Sequence, residues 1–125
     1  MLYFYKMTKK QDLGRKGEDF ATDYLEKQGY VIQERNWRYS KAEIDIICKK
    51  EDVLIFVEVK TKSYDYYGKP EESVTPFKER LIIDAANRYM EITGHDWEIR
   101  FDIIALLTDK EKEFSLEHFK DAFFD

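Results

Sequence analysis

Apolar and polar positions along the chain change period several times, and each change marks an element. Leu13, Phe20, Ala21, Tyr24 and Leu25 recur at helical spacing, which predicts an amphipathic helix over residues 12–28 that stops at Gly29. Residues 30–37, opening on Tyr30-Val31-Ile32, read as a strand, and residues 42–48 as a second. Residues 53–60 form a nearly continuous apolar run, the pattern of a central strand buried on both faces. The polar connection Lys49-Lys50-Glu51-Asp52 is short enough to make strands two and three an antiparallel hairpin. Residues 61–74, with Tyr64, Tyr66, Tyr67, Gly68 and Pro70, read as a loop. Thr75-Pro76 supplies a cap and a first-turn proline for a second helix running through Leu81, Ile82, Ala85, Ala86, Tyr89 and Met90 to Gly94. Residues 97–107 read as a fourth strand, residues 113–116 as a short further strand, and residues 117–123 as a last helical turn. The order α-β-β-β-α-β predicts an α/β fold with a central mixed sheet flanked by helices.

A chain of 125 residues, 43% hydrophobic and 16% aromatic, can build one core without staples. It is expected to form a single domain over residues 12–125, preceded by an extension over residues 1–11, in which Met7 is an alternative start. With one cysteine, Cys48, no internal disulfide is possible, and a lone Cys in an apolar strand pattern reads as a small core residue. The first six residues are too short and aromatic for a secretory signal, and no apolar run reaches the length of a membrane span. The expectation is a cytoplasmic protein without a membrane partner. The net charge of −5 does not suggest a nucleic-acid binder, but its distribution is uneven. Residues 1–41 carry nine Lys/Arg against six Asp/Glu, whereas residues 89–125 carry four against ten. A phosphate-binding face is therefore expected in the front half, if this polarity is more than an ordinary solvated surface.

Three places break local rules without a local gain. In strand three, alternation puts Leu54, Phe56, Glu58 and Lys60 on one face, so two apolar residues give way to a carboxylate and an amine. Burying either charge is costly unless it is paired or bound to a metal; the alternative is that the strand simply emerges into water there. In strand two, Glu43 and Asp45 share a face opposite Ile44 and Ile46, which is also what a half-exposed strand shows. A hairpin register pairing Lys49 with Asp52 sets Asp45 opposite Phe56 and Glu43 opposite Glu58. Glu43, Asp45, Glu58 and Lys60 then converge, and a divalent cation would supply the missing positive charge. A slip of one residue would separate the acids. In the first helix, Glu18 lies at the border of the apolar face, near Gly14 and Gly17. Glycine in a helix costs roughly 1 kcal/mol against alanine, so the pair predicts close approach of another element or a ligand, unless Gly14 merely opens the helix and Glu18 is a boundary residue.

Asp45 followed at a distance by Glu58-Val59-Lys60 resembles the D…(D/E)xK signature of restriction-endonuclease-like nucleases. The match extends through Leu13-Gly14-Arg15-Lys16-Gly17-Glu18, Glu34-Arg35-Asn36-Trp37, Glu43-Ile44-Asp45, Val57-Glu58-Val59-Lys60-Thr61, Val74-Thr75-Pro76 and Arg100-Phe101-Asp102. Together these resemble the YraN-like family of bacterial proteins over roughly residues 12–107, and the layout is similar to archaeal Holliday-junction resolvases. Two positions depart from the family pattern: Ala42 stands where glycine is usual, and Phe77, followed by Lys78, where a basic residue is frequent.

The resemblance implies the restriction-endonuclease-like fold and a metal-dependent nuclease acting on DNA, branched or single-stranded DNA included. It implies one or two Mg²⁺ or Mn²⁺ ions held by Asp45, Glu58, the Val59 carbonyl and Glu18. Lys60 would position the attacking water, and Glu43 would stand behind the first ligands. Arg15, Lys16, Lys62 and Lys78 flank the motifs and are the expected phosphate contacts. The loop tyrosines Tyr64, Tyr66 and Tyr67 could stack on bases or simply anchor the loop. The rival expectations are a binding module for DNA or a protein partner that does not cut, and a subunit active only within a complex. A homodimer would also build a basic groove.

Overall fold

The computed structural model describes residues 9–64, 75–111 and 113–123. The expected loop tyrosines Tyr66 and Tyr67, with Gly68, Pro70 and Val74, lie outside these residues, as do residues 1–8. Helix α1 (Lys9–Lys27) is followed by strands β1 (Val31–Tyr39), β2 (Ala42–Lys50) and β3 (Val53–Lys62), then helix α2 (Pro76–Thr93) and strands β4 (Ile99–Thr108) and β5 (Phe114–Phe119). The strands lie in the order β1-β2-β3-β4-β5. All neighbours are antiparallel except β3 and β4, which run parallel with α2 as their crossover. The chain is thus α/β, with a five-stranded mixed sheet and a helix on each face.

The two faces are separate cores. On one, Ile82, Ala85, Ala86 and Tyr89 of α2 cover Ile44, Ile47, Leu54, Phe56, Phe101 and Ile103. On the other, Ala21 and Leu25 of α1 cover Ile46, Cys48, Ile55, Val57, Ile104 and Leu106. Strand β3 feeds both, which explains its unbroken apolar run. Cys48 is fully buried, and burial pushes its thiol up to about 12, so it packs as a small apolar side chain.

Local signals behave as their chemistry dictates. Thr75 caps α2, its Oγ1 accepting from the Lys78 N–H at 3.2 Å, with Pro76 in the first turn. Gly94 ends the helix at φ 71°, a left-handed conformation that favours glycine. Three expectations need correction. Helix α1 starts at Lys9, inside the stretch read as an extension. The expected last helical turn is instead the end of β5 and a turn, because residues 114–119 pair with β4. The hairpin closes on Glu51 and Asp52, both at positive φ, so Lys50 pairs with Val53 and Phe56 with Ile47, not with Asp45. The register differs from expectation by two residues, an even slip that by itself does not exchange the faces.

Strand β2 holds a larger surprise. Ile44 belongs to the α2-side core and Ile46 to the α1-side core, although strict alternation would put both on one face. The pleat changes phase at Asp45. Opposite it, between the pairs Arg35↔Ile46 and Trp37↔Ile44, stands Asn36 at φ 51°. The sheet is irregular where its acids gather.

Candidate functional site: an acidic cleft at the end of the β2–β3 ladder

The β2–β3 ladder runs from Lys50 and Val53 as far as Ile46 and Val57. Past that point the Val59 N–H donates to Asp45 Oδ2 at 2.8 Å, so a carboxylate takes a role that a backbone carbonyl would fill in a continuous ladder. This anchors Asp45 beside Glu58. Glu58 is 5% exposed, between the core residue Val57 and the partly buried Val59. The two acids border a cleft of about 540 Å³ with Gly14, Glu18, Lys41, Glu43, Val59, Lys60, Thr61, Lys62 and Lys78 on its walls.

Helix α1 delivers Glu18 because Gly17 lets it descend onto β3. A Cβ at Gly17 would lie 3.0 Å from Thr61 Cβ and closer still to Thr61 Oγ1. The expected close approach of another element is therefore found at Gly17. Gly14 meets no atom within 4 Å and faces the open cleft. Carboxylate oxygens of Glu18, Glu43 and Asp45 lie within 4.8 Å of one another. The Asn36 amide ties two of them, donating to Glu18 Oε2 at 3.0 Å and to Glu43 Oε1 at 2.9 Å. Arg38 pairs with Glu43 Oε2 at 2.8 Å.

On the other side of Asp45, two lysines converge on one oxygen. Lys78 Nζ stands 2.7 Å from Glu58 Oε1 and Lys60 Nζ 3.6 Å from it. The second oxygen, Glu58 Oε2, is buried and accepts no hydrogen bond from any of the described residues. An orphaned carboxylate oxygen in a recessed site is expensive. Burial, the Glu58 charge and then Glu18 push the Asp45 carboxyl up to about 8, against the Val59 N–H and Lys78, which favour its charged form. Burial and the neighbouring Lys78 lower the pKa of Lys60, with Glu58 and Asp45 opposing. For Lys78 burial also acts downward, but Glu58 outweighs it and the ammonium is held charged. The environments thus drive the two amines apart. The donor set is all oxygen, which fits a hard divalent cation such as Mg²⁺ rather than a soft one.

The sequence expectations map onto this site unevenly. Glu18, Glu43, Asp45, Glu58, Val59, Lys60, Lys62 and Lys78 are brought together on the cleft walls. Arg15 and Lys16 lie on the exposed side of α1, and Lys16 pairs with Asp12 at 3.1 Å. Lys16 and Tyr64 line a separate cleft of about 380 Å³ with Lys9, Asp12, Leu13 and Phe114. Sequence reasoning missed Lys41, at the β1–β2 turn, and the role of Asn36. The signal for Asn36 was present: asparagine is a poor strand former, and here it stands inside β1 at φ 51°.

A second polar cluster lies on the α1 side, away from the cleft. Asp102, fully buried, accepts from Arg100 Nε at 2.8 Å and Nη2 at 2.9 Å and from the Asp121 N–H at 3.0 Å, and its Oδ2 lies 2.7 Å from His118 Nε2. Burial alone would raise its carboxyl; these partners outweigh it and hold the pKa low. His118 Nδ1 meets the Tyr24 hydroxyl at 3.0 Å, and Arg100 Nη2 donates to the Tyr30 hydroxyl at 3.1 Å. The Arg100-Phe101-Asp102 motif thus joins β4, β5 and the end of α1 instead of lining the cleft.

Comparison with known proteins bears on the whole site. Residues 17–106 match a family described as "Uncharacterised protein family UPF0102". A UPF0102 protein of Flavobacterium psychrophilum is 49% identical over 118 residues, covering 94% of this chain and 98% of its own. One of Bacteroides fragilis is 46% identical over 112 residues, covering 90% and 92%. One of Chlorobium phaeobacteroides is 46% identical over 117 residues, covering 89% and 92%.

Proposed function

Because the chain belongs to the UPF0102 family, the YraN-like proteins, and that name carries no activity, its chemistry must be read from its own residues: we propose a metal-dependent nuclease of the restriction-endonuclease-like fold that hydrolyses DNA phosphodiester bonds. The observation that carries the reading is Glu58, buried beside Asp45 with one oxygen that finds no partner among the described residues and an amine on the residue two positions on. Such an arrangement is costly for a protein that only needs to fold, and it is relieved by a divalent cation. Asp45 and Glu58 would hold the ion, with the Val59 carbonyl and Glu18 completing the oxygen set. Bound there, it lowers the pKa of a water molecule and polarises a phosphoryl oxygen.

The chain's own groups supply the rest. Asp45 is held through one oxygen by the Val59 N–H, which fixes the carboxylate on the cleft wall. Lys60 is half-buried two residues from Glu58, which suits a group that orients the attacking water and stabilises the charge that develops on the phosphate. Glu43, held by Asn36 and Arg38, fixes the acid wall behind Asp45. Lys41 and Lys62 stand on the cleft walls where the strand's phosphates would pass.

A binding module on the same fold is the second reading, favoured by the net charge of −5. One experiment separates them. Labelled duplex, single-stranded, flap and four-way-junction DNA are incubated with Mg²⁺ or Mn²⁺ and either wild type or Lys60→Ala. Cleavage by the wild type that drops by about 100-fold or more in the variant is expected. Equal cleavage by both points to a contaminant or to a site elsewhere. Retention of DNA without cleavage under every condition favours the binding module.

A further inference from the structure

Lys78 sits where a cation has no local reason to be. It is the third residue of α2, in the turn where the helix dipole disfavours positive charge. Its backbone N–H serves the Thr75 cap, and its side chain contributes nothing to that cap. The ammonium instead reaches Glu58 Oε1 at 2.7 Å, closer than Lys60 at 3.6 Å. Two ammonium groups therefore share one carboxylate oxygen while the other oxygen has no partner among the described residues. The lysines differ in access: the Lys60 side chain is 17% exposed and that of Lys78 33%. Lys78 is the one that can swing out without opening the core.

A divalent cation on Glu58 and the Lys78 ammonium at its present distance would be like charges a few ångströms apart, which repel strongly in a recessed site. One must leave or weaken for the other to bind. An ammonium leaving Glu58 needs a new counter-charge, and a phosphodiester in the same cleft offers one. We propose that Lys78 is an internal counter-cation that holds Glu58 until a substrate phosphodiester draws it away, so that divalent metal and substrate load together. This rests on the metal-dependent reading above. By linkage, each ligand then tightens the other.

Mn²⁺ binding by the full chain, followed by electron paramagnetic resonance at one fixed pH, tests this. A short single-stranded oligodeoxynucleotide with phosphorothioate linkages is the substrate probe. Lys78→Met, with Lys78→Gln as a second variant should the first not fold, is expected to bind Mn²⁺ roughly tenfold tighter than wild type in the absence of the oligonucleotide. Lys78→Arg keeps the charge and should resemble wild type. The oligonucleotide is expected to tighten Mn²⁺ binding by wild type severalfold and to have a smaller effect on Lys78→Met. Equal Mn²⁺ affinities of wild type and both neutral variants, or no effect of the oligonucleotide on wild type, would overturn the proposal. In that case the metal site itself would stand, provided Asp45→Asn abolishes binding. No Mn²⁺ binding by any variant, with or without oligonucleotide, overturns both.

Discussion

Asp45 does three things at once. It ends the β2–β3 ladder, bonds the Val59 N–H and faces two other acids across the cleft. Its carboxyl, raised from 3.8 to about 8, links the site to stability. Within that window the folded protein holds a proton that the unfolded chain has released, so stability falls as pH rises through it. Asp45→Asn removes this dependence. Without divalent metal, the variant should melt above wild type at pH 8, by roughly 5 °C, with the gap closing towards pH 4. Thermal unfolding across this range checks it; a gap that widens at low pH would contradict the assignment. Added Mg²⁺ should raise the wild type and leave the variant where it is.

Helix α1 reaches the site through one missing methyl group. Ordinarily Gly→Ala in a helix gains about 1 kcal/mol, and Gly14, which meets nothing within 4 Å, should follow that rule. Gly17→Ala should lose stability by about 1–3 kcal/mol, because its Cβ drives into Thr61 on β3. Adding Thr61→Ala should restore much of the loss, and urea unfolding of the four proteins gives the coupling directly. The paired glycines made a close approach legible in the sequence, but which of them made it was set by where β3 lies. Elements were likewise readable where chemistry is local: the Thr75-Pro76 start and Gly94 stop of α2, and the antiparallel hairpin of β2 and β3. The hairpin register was off by two residues, an even slip that keeps the faces within the ladder, and Asp45 and Glu58, just past its end, still border one cleft. What no periodicity could reveal was the phase change at Asp45, which falls opposite Asn36 at φ 51° on the neighbouring strand. Nor could it reveal Lys78 at Glu58, a contact that needs the whole β3–α2 connection to form. Phe77, the position departing from the family pattern, is 62% exposed and leaves the cleft to Lys78.

At the scale of the molecule, charge and topology pull in different directions. The net charge is −5, and the lysines of the cleft, Lys41, Lys60, Lys62 and Lys78, are few. The basic front half read from the sequence is only partly collected there: Arg15 and Lys16 stay on the exposed side of α1. If two or three cleft lysines meet phosphates, log affinity against log salt should have a slope of about −2 to −3. Fluorescence anisotropy on labelled DNA in Ca²⁺ buffer measures it, and a slope much steeper would mean a broad basic surface elsewhere. The topology also sets an order of events. Asp45 and Glu58 belong to one two-residue-turn hairpin, a unit that closes in microseconds. Lys78, which offsets them, lies on α2 and arrives only when that helix docks on the sheet, a less local step. A nascent chain therefore meets its own electrostatic repulsion before it meets the remedy. The speed at which this small sheet assembles is governed by the charge of its cleft as well as by its strand order.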